Sequence, residues 1–264
     1  MKKILILLTI AVPATLFAQT DKPTRQQKAA ERKEKINKLI KQEEEGALIY
    51  EKQGAFGIKL NTDGYGFFYE HGKYKTIEKT NSWWFELGER KDKKEEKTST
   101  NSIFFGGSPY IYGKINNFYY FKLGLEKQYL LGGKGNKNGV AVSLIYGGGL
   151  SLGMLKPYYL QINSTNGTQD IKYDGGNDSS FLNRSVIFGS SGPFKGWGDV
   201  KYVPGGILHT AIRFDYGRYN ELLSAIQVGA HLEYYTDNMP IMAKTEAGKL
   251  FFNAYVALVF GKRK

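Results

Sequence analysis

The stretch from residue 250 to residue 260, Leu-Phe-Phe-Asn-Ala-Tyr-Val-Ala-Leu-Val-Phe, most constrains what this chain can fold into. Its side chains alternate with a period of two, as they do on a β-strand. One side carries the amide of Asn253 and the phenol of Tyr255 among apolar residues, whereas the other side is wholly apolar. The apolar side consists of Phe252, Ala254, Val256, Leu258 and Phe260.

This segment is long enough to cross a bilayer as a tilted strand, because about ten residues suffice, and it is far too short for a membrane helix. In lipid, every backbone N–H and C=O needs a partner, and among β-structures only a closed barrel supplies one for each. We therefore predict an all-β fold, an antiparallel transmembrane β-barrel, in which residues 250–260 form the barrel-closing strand. A soluble, tyrosine-rich β-sandwich is the alternative.

The N-terminus predicts export. Residues 1–18 begin with two lysines, continue with an apolar run over residues 4–12, and end with the small residue Ala18. This pattern is typical of a secretory signal peptide cleaved near Ala18. A membrane-anchoring helix is the weaker alternative, because Pro13 interrupts a run that is already too short to span a bilayer.

The composition excludes several kinds of site. The chain has no cysteine, which excludes disulfides, thiol catalysis and thiolate metal sites. The three histidines are scattered without metal-ligand spacing, so we expect no metal and no cofactor. The 32 glycines, 19 tyrosines and 16 phenylalanines favour a barrel, which uses aromatic residues at the membrane interfaces and glycines where the backbone or the lumen is crowded.

The net charge of +12 points to anionic partners. Because an export signal is present, lipopolysaccharide phosphates or an acidic protein fit this charge better than nucleic acid. An outer-membrane barrel would also meet the barrel-insertion machinery.

Residues 19–46 differ in composition from the rest of the chain. They contain strong helix formers and charged residues and no aromatic residue, which predicts a charged periplasmic helix. Its apolar stripe is narrow, so it is either a solvated spacer or, through residues 22–45, a docking arm for an envelope protein.

Period-two alternation recurs from residue 47 to residue 264 and predicts about eight strands. The first two strands flank a turn at 61–64, although residues 54–71 could instead form one long bent strand. The third strand is expected to end near Arg90. The later strands are expected over residues 117–130, 140–159, 206–217, 224–233 and 250–260.

The connections between these strands predict the orientation of the barrel. Outer-membrane barrels have long outer loops and short inner turns. The inner connections would be the short ones near Gly72, at 132–139 and at 218–221. The outer ones would be the turn at 61–64 and three long connections, residues 91–115, 161–204 and 237–249, of which the second is expected to have some local structure around residues 181–197. This alternation places both termini in the periplasm.

The inward side of the predicted strands is polar. Eight strands leave an interior just wide enough for side chains to fill it, so these groups are expected to pair with one another and plug the lumen. The expected structural network consists of Lys59, Glu70, Glu86, Arg90, Lys122, Glu126, Arg213, Asp215, Gln227, His231 and Glu233. For Arg213 we expect Asp215 or a cross-strand carboxylate as partner.

Glycines 147–149 and Gly153 do not form a phosphate-binding loop, because the Lys-Ser/Thr ending is missing and the flanks are strands. Their expected role is to make room inside the barrel.

Three functions are compatible with such a barrel. It could be a non-catalytic envelope or secretion-machine component, a narrow channel for small solutes, or an enzyme that uses His209 or His231 with Asp215 or Glu233 for acid–base chemistry. We predict the first function, with no catalytic residues, because polar pairs are expected in a plugged lumen in any case.

Several segments carry a resemblance to known proteins: Phe-Ala-Gln at the end of the signal, 57–64, 112–118, 138–142, 213–217 and 252–258. With these, residues 47–264 resemble uncharacterised small outer-membrane β-barrel proteins of Bacteroidota. In size and architecture the chain is also similar to PorT and PorG, components of the type IX secretion apparatus. The resemblance implies a machine component and assigns no catalytic residue.

Overall fold

The computed structural model describes residues 51–76, 78–99, 108–134, 139–164, 167–217 and 221–264. The signal peptide predicted for residues 1–18 and the charged helix predicted for residues 19–46 lie outside the described residues.

Eight long antiparallel strands close into a barrel, as the sequence predicts. They are β1 (Lys52–Asn61), β2 (Gly64–Thr76), β3 (Lys79–Arg90), β6 (Asn116–Gly132), β7 (Ala141–Pro157), β11 (Lys201–Asp215), β12 (Leu222–Tyr235) and β13 (Leu250–Arg263). Each strand pairs with its neighbours along the chain, and β13 pairs with β1 to close the ring. The predicted hairpin at 61–64 is confirmed, because Asn61 of β1 lies opposite Gly64 of β2.

Three short connections lie at one end of the barrel, and the three long ones lie at the other end together with the tight turn between β1 and β2. At the long-loop end, the chain forms additional short elements. They are β4 (Lys97–Thr98), β5 (Tyr110–Ile111), β8 (Tyr159–Ser164), β9 (Gly167–Lys172), α1 (Asp178–Phe181), β10 (Ile187–Ser190) and the 3-10 turn η1 (Trp197–Asp199). Within the described residues, no helix is long and apolar enough to cross a membrane.

These elements confirm the local structure expected around residues 181–197 and correct the expectation that the rest of residues 161–204 is a loop. Strand β8 lies between β9 and β10 in a three-stranded sheet. Tyr110, Leu160, Phe181 and Ile187 form a buried cluster beneath it. We call residues 158–199 together with β4 and β5 the loop layer.

Three strand ends also differ from the prediction. The turn expected near Gly72 is wrong, because β2 continues to Thr76, which lies opposite Lys79 of β3. Strand β11 begins at Lys201, whereas the sequence predicted a start near residue 206. The predicted start was too late because Pro204 and the two glycines after it interrupt the period-two alternation. Strand β13 continues past Phe260, and Arg263 pairs with Gln53 of β1. The basic residues at the C-terminus are therefore part of the barrel wall.

The outer surface of the barrel is apolar. Leu125, Leu150 and Phe252 are each more than 70% exposed. Exposing such side chains to water would be costly, whereas exposing them to lipid is favourable. The register aligns Tyr65, Glu89, Tyr119, Met154 and Tyr202 in one outward row near the long-loop end. Tyrosines at this level match the aromatic girdle of a membrane barrel.

Glycines let strands β6 and β7 approach each other around a bulky side chain. Gly124 lies opposite Gly149, and the Trp84 ring packs beside Gly124. A Cβ atom on Gly149 would lie 2.1 Å from the carbonyl oxygen of Leu123. The glycine run of β7 therefore serves the packing of the wall.

Candidate functional site

The lumen is the largest assembly of polar side chains in the described part of the chain. All the residues expected there face inward and are at most 7% exposed. They are Lys59, Glu70, Glu86, Arg90, Lys122, Glu126, Arg213, Asp215, Gln227, His231 and Glu233. They form two hydrogen-bonded groups, one toward each end of the barrel.

The upper network, toward the long-loop end, is built around two carboxylates. Lys122 Nζ lies 2.7 Å from Glu233 Oε1 and 3.5 Å from Glu86 Oε1, so that one ammonium bridges both acids. Glu86 also binds the Lys59 ammonium and accepts a hydrogen bond of 3.0 Å from the Tyr120 hydroxyl. These contacts satisfy Glu86, which is fully buried.

Glu233 accepts two further hydrogen bonds and lies beside a histidine. Arg90 Nη2 donates at 3.0 Å, the Tyr235 hydroxyl donates at 2.8 Å, and His231 Nε2 lies 3.0 Å away. Arg90 Nε in turn lies 2.5 Å from Asp63 in the turn between β1 and β2. Lys59, Arg90 and Lys122 thus balance Asp63, Glu86 and Glu233 in number.

An apolar lid closes the lumen above this network. It consists of Phe118, Tyr235, Met239, Ile241 and Met242, all at most 7% exposed. The last three come from the connection between β12 and β13, which folds back over the barrel mouth. Backbone hydrogen bonds from residues 115 and 116 to the carbonyl oxygen of Ile241, 2.8 and 3.2 Å long, fix this connection.

The lower network, toward the short-turn end, centres on Arg213. Its guanidinium donates two hydrogen bonds to Glu70, of 2.6 and 2.5 Å, across the lumen from β11 to β2. It also donates to Gln227 Oε1 at 3.0 and 2.7 Å. Gln53 Nε2 donates to Glu70 at 2.9 Å. A two-pronged arginine–carboxylate pair of this kind is among the strongest polar contacts in proteins.

Asp215 is not the partner of Arg213. Its carboxylate lies 2.6 Å from Arg263 Nη1 and 3.4 Å from Lys134 Nζ. Of the two alternatives that we expected for Arg213, the cross-strand carboxylate is therefore correct. Asp215 is taken up by these two other cations, and Arg213 reaches Glu70 across the narrow lumen.

Between the two networks, His209 lies against the Trp84 ring, with ring centroids 5.1 Å apart. His209 Nε2 is 3.4 Å from Glu126 Oε2. A small space lined by these side chains and Lys59 has room for about one water molecule. It is too small for a substrate.

Of the histidine–carboxylate pairs that the enzyme hypothesis names, the structure brings together His231 and Glu233, whereas His209 lies beside Glu126. His209 and His231 lie opposite each other on β11 and β12, and His231 contacts Glu233. Both are buried below the lid, where a substrate would have to displace the ion pairs. Among the described residues, no group of three or more acidic or histidine side chains could hold a metal ion.

Sequence reasoning missed several members of the networks. Asp63 and Lys134 lie in turns, and Arg263 lies beyond residue 260, where the predicted closing strand ended. Tyr120 and Tyr235 are on the inward side of their strands, where alternation alone could have placed them. The turn residues had no periodic signal that could have revealed them.

A second concave site lies outside the lumen. A cleft of about 400 Å³ separates the rim of β3, β6 and β7 from the loop layer. On its loop side, Asp170 accepts a hydrogen bond from Lys195, which lowers the pKa of this carboxyl. Tyr159 donates to Asp199 at 2.6 Å, and this contact raises the pKa of the phenol.

Comparisons with known proteins give a likeness of fold alone. No family model and no curated protein matches the sequence. Similar solved structures include Ail, the attachment invasion locus protein of Yersinia pestis, in complex with the heparin analogue sucrose octasulfate (10% identity, TM-score 0.39, covering 82% of this chain and 100% of that chain). Neisserial surface protein A is a second similar structure (7% identity, TM-score 0.37, covering 81% of this chain and 96% of that chain). The N-terminal β-barrel domain of Pseudomonas aeruginosa OprF (11% identity, TM-score 0.33) is covered to 98% by 80% of this chain. Likenesses this distant carry no functional argument.

Proposed function

We propose that this protein is a non-enzymatic outer-membrane barrel whose sealed lumen anchors a folded loop layer at the cell surface, as a component of the envelope or of a secretion or assembly machine. The observation that carries this proposal is the filled lumen. Paired charges occupy its length, and the apolar lid covers the end near the long loops. We propose that the network is structural, because separating any of its buried pairs would leave an uncompensated charge.

The orientation that we propose has both termini in the periplasm and the loop layer outside. It is supported by the strand directions, since β1 begins and β13 ends at the short-turn end. An epitope tag inserted after Ser191 should be accessible to antibody on intact cells, whereas a C-terminal tag should become accessible only after permeabilisation. The reverse labelling would contradict this orientation.

Conductance of the purified protein in planar bilayers tests the sealed lumen. We expect no stable current steps at amounts of protein at which an open porin, run as the control, gives them readily. Reproducible steps from the unmodified protein would favour the alternative, a narrow channel for small solutes, and would show that the charged side chains line a conducting path.

The proposed partner is an envelope protein. The resemblance to Bacteroidota barrels suggests a secretion machine, and we propose that residues 22–45 dock to an envelope protein. Affinity purification in mild detergent should recover partners with the full chain and lose them when these residues are replaced by a Gly/Ser linker of equal length. A lone barrel in both samples would contradict a machine component, and partners retained by both would contradict a docking arm.

A further inference from the structure

The cleft described above lies on the outer side of the barrel wall. Phe118 and Leu155 are paired across β6 and β7, and both point inward and are buried. Because side chains alternate along a strand, the adjacent Asn117, Tyr119 and Lys156 point outward. All three line the cleft. A molecule in the cleft therefore lies against the outer wall, at the level of the outward row of residues that contains Tyr65, Tyr119 and Tyr202.

The cleft is positively charged. Its lining includes the five lysines 91, 97, 114, 156 and 195 and two glutamates, 89 and 95, which gives a formal excess of three positive charges (5 − 2 = +3). Lys114 is paired with Glu95 at 2.7 Å, Lys195 is paired with Asp170, and Glu89 accepts a hydrogen bond of 2.6 Å from Tyr65. Lys91 and Lys97 are exposed at the cleft.

Aromatic residues border the cleft on the membrane side. The Trp197 ring stacks on Tyr119 with centroids 5.6 Å apart, and Lys156 Nζ lies 5.0 Å from the centre of the Trp197 ring. Phe194, in the same loop, is 87% exposed. Aromatic rings beside lysines, outside the wall and at the end of the apolar belt, are typical of the level of lipid headgroups.

We propose that this cleft binds the phosphorylated headgroup of a glycolipid of the outer leaflet. Phosphate oxygens would accept hydrogen bonds from the lysine ammonium groups, and the sugar would lie against Tyr119 and Tyr159. Free phosphate shares this chemistry, but the outward position of the cleft and the exposed Phe194 favour a ligand whose acyl chains continue along the apolar wall. This inference rests on the proposed membrane placement.

Native mass spectrometry of the full protein, released from nanodiscs that contain phosphatidylcholine and bisphosphorylated lipid A, tests the site. The unmodified protein should retain lipid A, and the double variant Lys91→Gln/Lys97→Gln should bind it about 30-fold more weakly, at about fivefold per lysine near a charged surface. The matched control is Lys244→Gln/Lys249→Gln, which removes the same charge at the same barrel end away from the cleft. This control should bind like the unmodified protein.

Equal lipid A retention by the two double variants would overturn the proposal. So would equal affinity for monophosphorylated lipid-free sugar and lipid A, which would assign the site to a soluble anion. All samples are first checked for the gel shift of a folded barrel on heating. A protein that fails to insert would contradict the membrane placement, whereas an inserted protein without lipid A contradicts the headgroup site alone.

Discussion

Removing the Arg213 guanidinium should be among the most damaging single changes in the lumen. The side chain is 1% exposed, and its partner Glu70 is 2% exposed. Arg213→Ala deletes both hydrogen bonds to Glu70 and both to Gln227, and leaves the carboxylate with one neutral donor, Gln53. Breaking one side of a buried ion pair costs about 3–5 kcal/mol, and we expect a loss of unfolding free energy in this range.

Urea unfolding of the protein in lipid vesicles measures this loss, with heat-dependent migration on semi-native gels as a second readout. The double variant Arg213→Met/Glu70→Gln removes the charge from both sides and should recover at least about 2 kcal/mol of it, because a buried pair replaced by neutral groups is often tolerated. Lys201→Ala, which breaks the exposed pair with Asp237, is the control and should unfold like the unmodified protein.

Two results would refute this reasoning. If Arg213→Ala unfolds at the same urea concentration as the unmodified protein, water must reach Glu70 and the lumen is not sealed at this level. If the double variant is no more stable than the single one, the cost comes from lost packing and not from an unpaired carboxylate.

Three further changes test the wall, the closure and the loop layer. Gly149→Ala should destabilise the barrel by about 3 kcal/mol, because the new Cβ would overlap the backbone of β6, and urea unfolding measures the change. Arg263→Ala should cost about 3 kcal/mol in the same assay, since it leaves a buried carboxylate with one cation, whereas the exposed Lys262→Ala should be neutral. Acid should loosen the loop layer. The hydrogen bond from Lys195 lowers the pKa of the Asp170 carboxyl below its ordinary value of 3.8. The stabilisation by this contact is therefore complete above pH 3.8 and is lost as the pH falls through the lowered pKa. Hydrogen exchange of β9 against pH should show this loss, and Asp170→Asn should abolish it.

The outcomes that would contradict these expectations are specific. Gly132→Ala is the control for Gly149, because a Cβ there meets nothing within 4 Å, and equal effects of the two substitutions would refute the close-approach argument. Equal losses for Lys262→Ala and Arg263→Ala would mean that only net charge matters at the C-terminus. A pH dependence of exchange that persists in Asp170→Asn would assign the transition to another group.

Much of the barrel could be predicted from the sequence. A strand that faces lipid on one side and the lumen on the other must alternate apolar and polar side chains with a period of two. Residues such as Glu86 and Lys122 interrupt apolar runs at alternate positions, and this pattern fixes both the strand and the direction of the side chain. Strand ends were less predictable: at Pro204 and after Phe260 the alternation fades, although the hydrogen-bonded ladder continues.

Which inward groups pair could not be predicted, because partners across a closed lumen are set by strand tilt and register. Arg213 and Glu70 are far apart in the sequence and lie on strands that are not neighbours in the sheet. The strands of the loop layer before residue 181 were missed for a different reason. Strands β8 and β9, of six residues each, are too short and too polar to show a period, and their stability comes from packing around Leu160 and Phe181.

The pairing of β13 with β1 also has a consequence for the order of biogenesis. Its ladder, from Gln53 and Arg263 to Asn61 and Tyr255, is the shortest around the described barrel, and it joins the first strand made to the last one. An open sheet edge is not tolerated in hydrocarbon, so the seam must form before or during entry into the bilayer. The hydrogen bond from Arg263 Nε to Gln53, 3.0 Å long, spans this seam. A variant without Arg263 would lose this side-chain contact across the seam, so the edges of β1 and β13 would have to be held together by their backbone hydrogen bonds alone at this level.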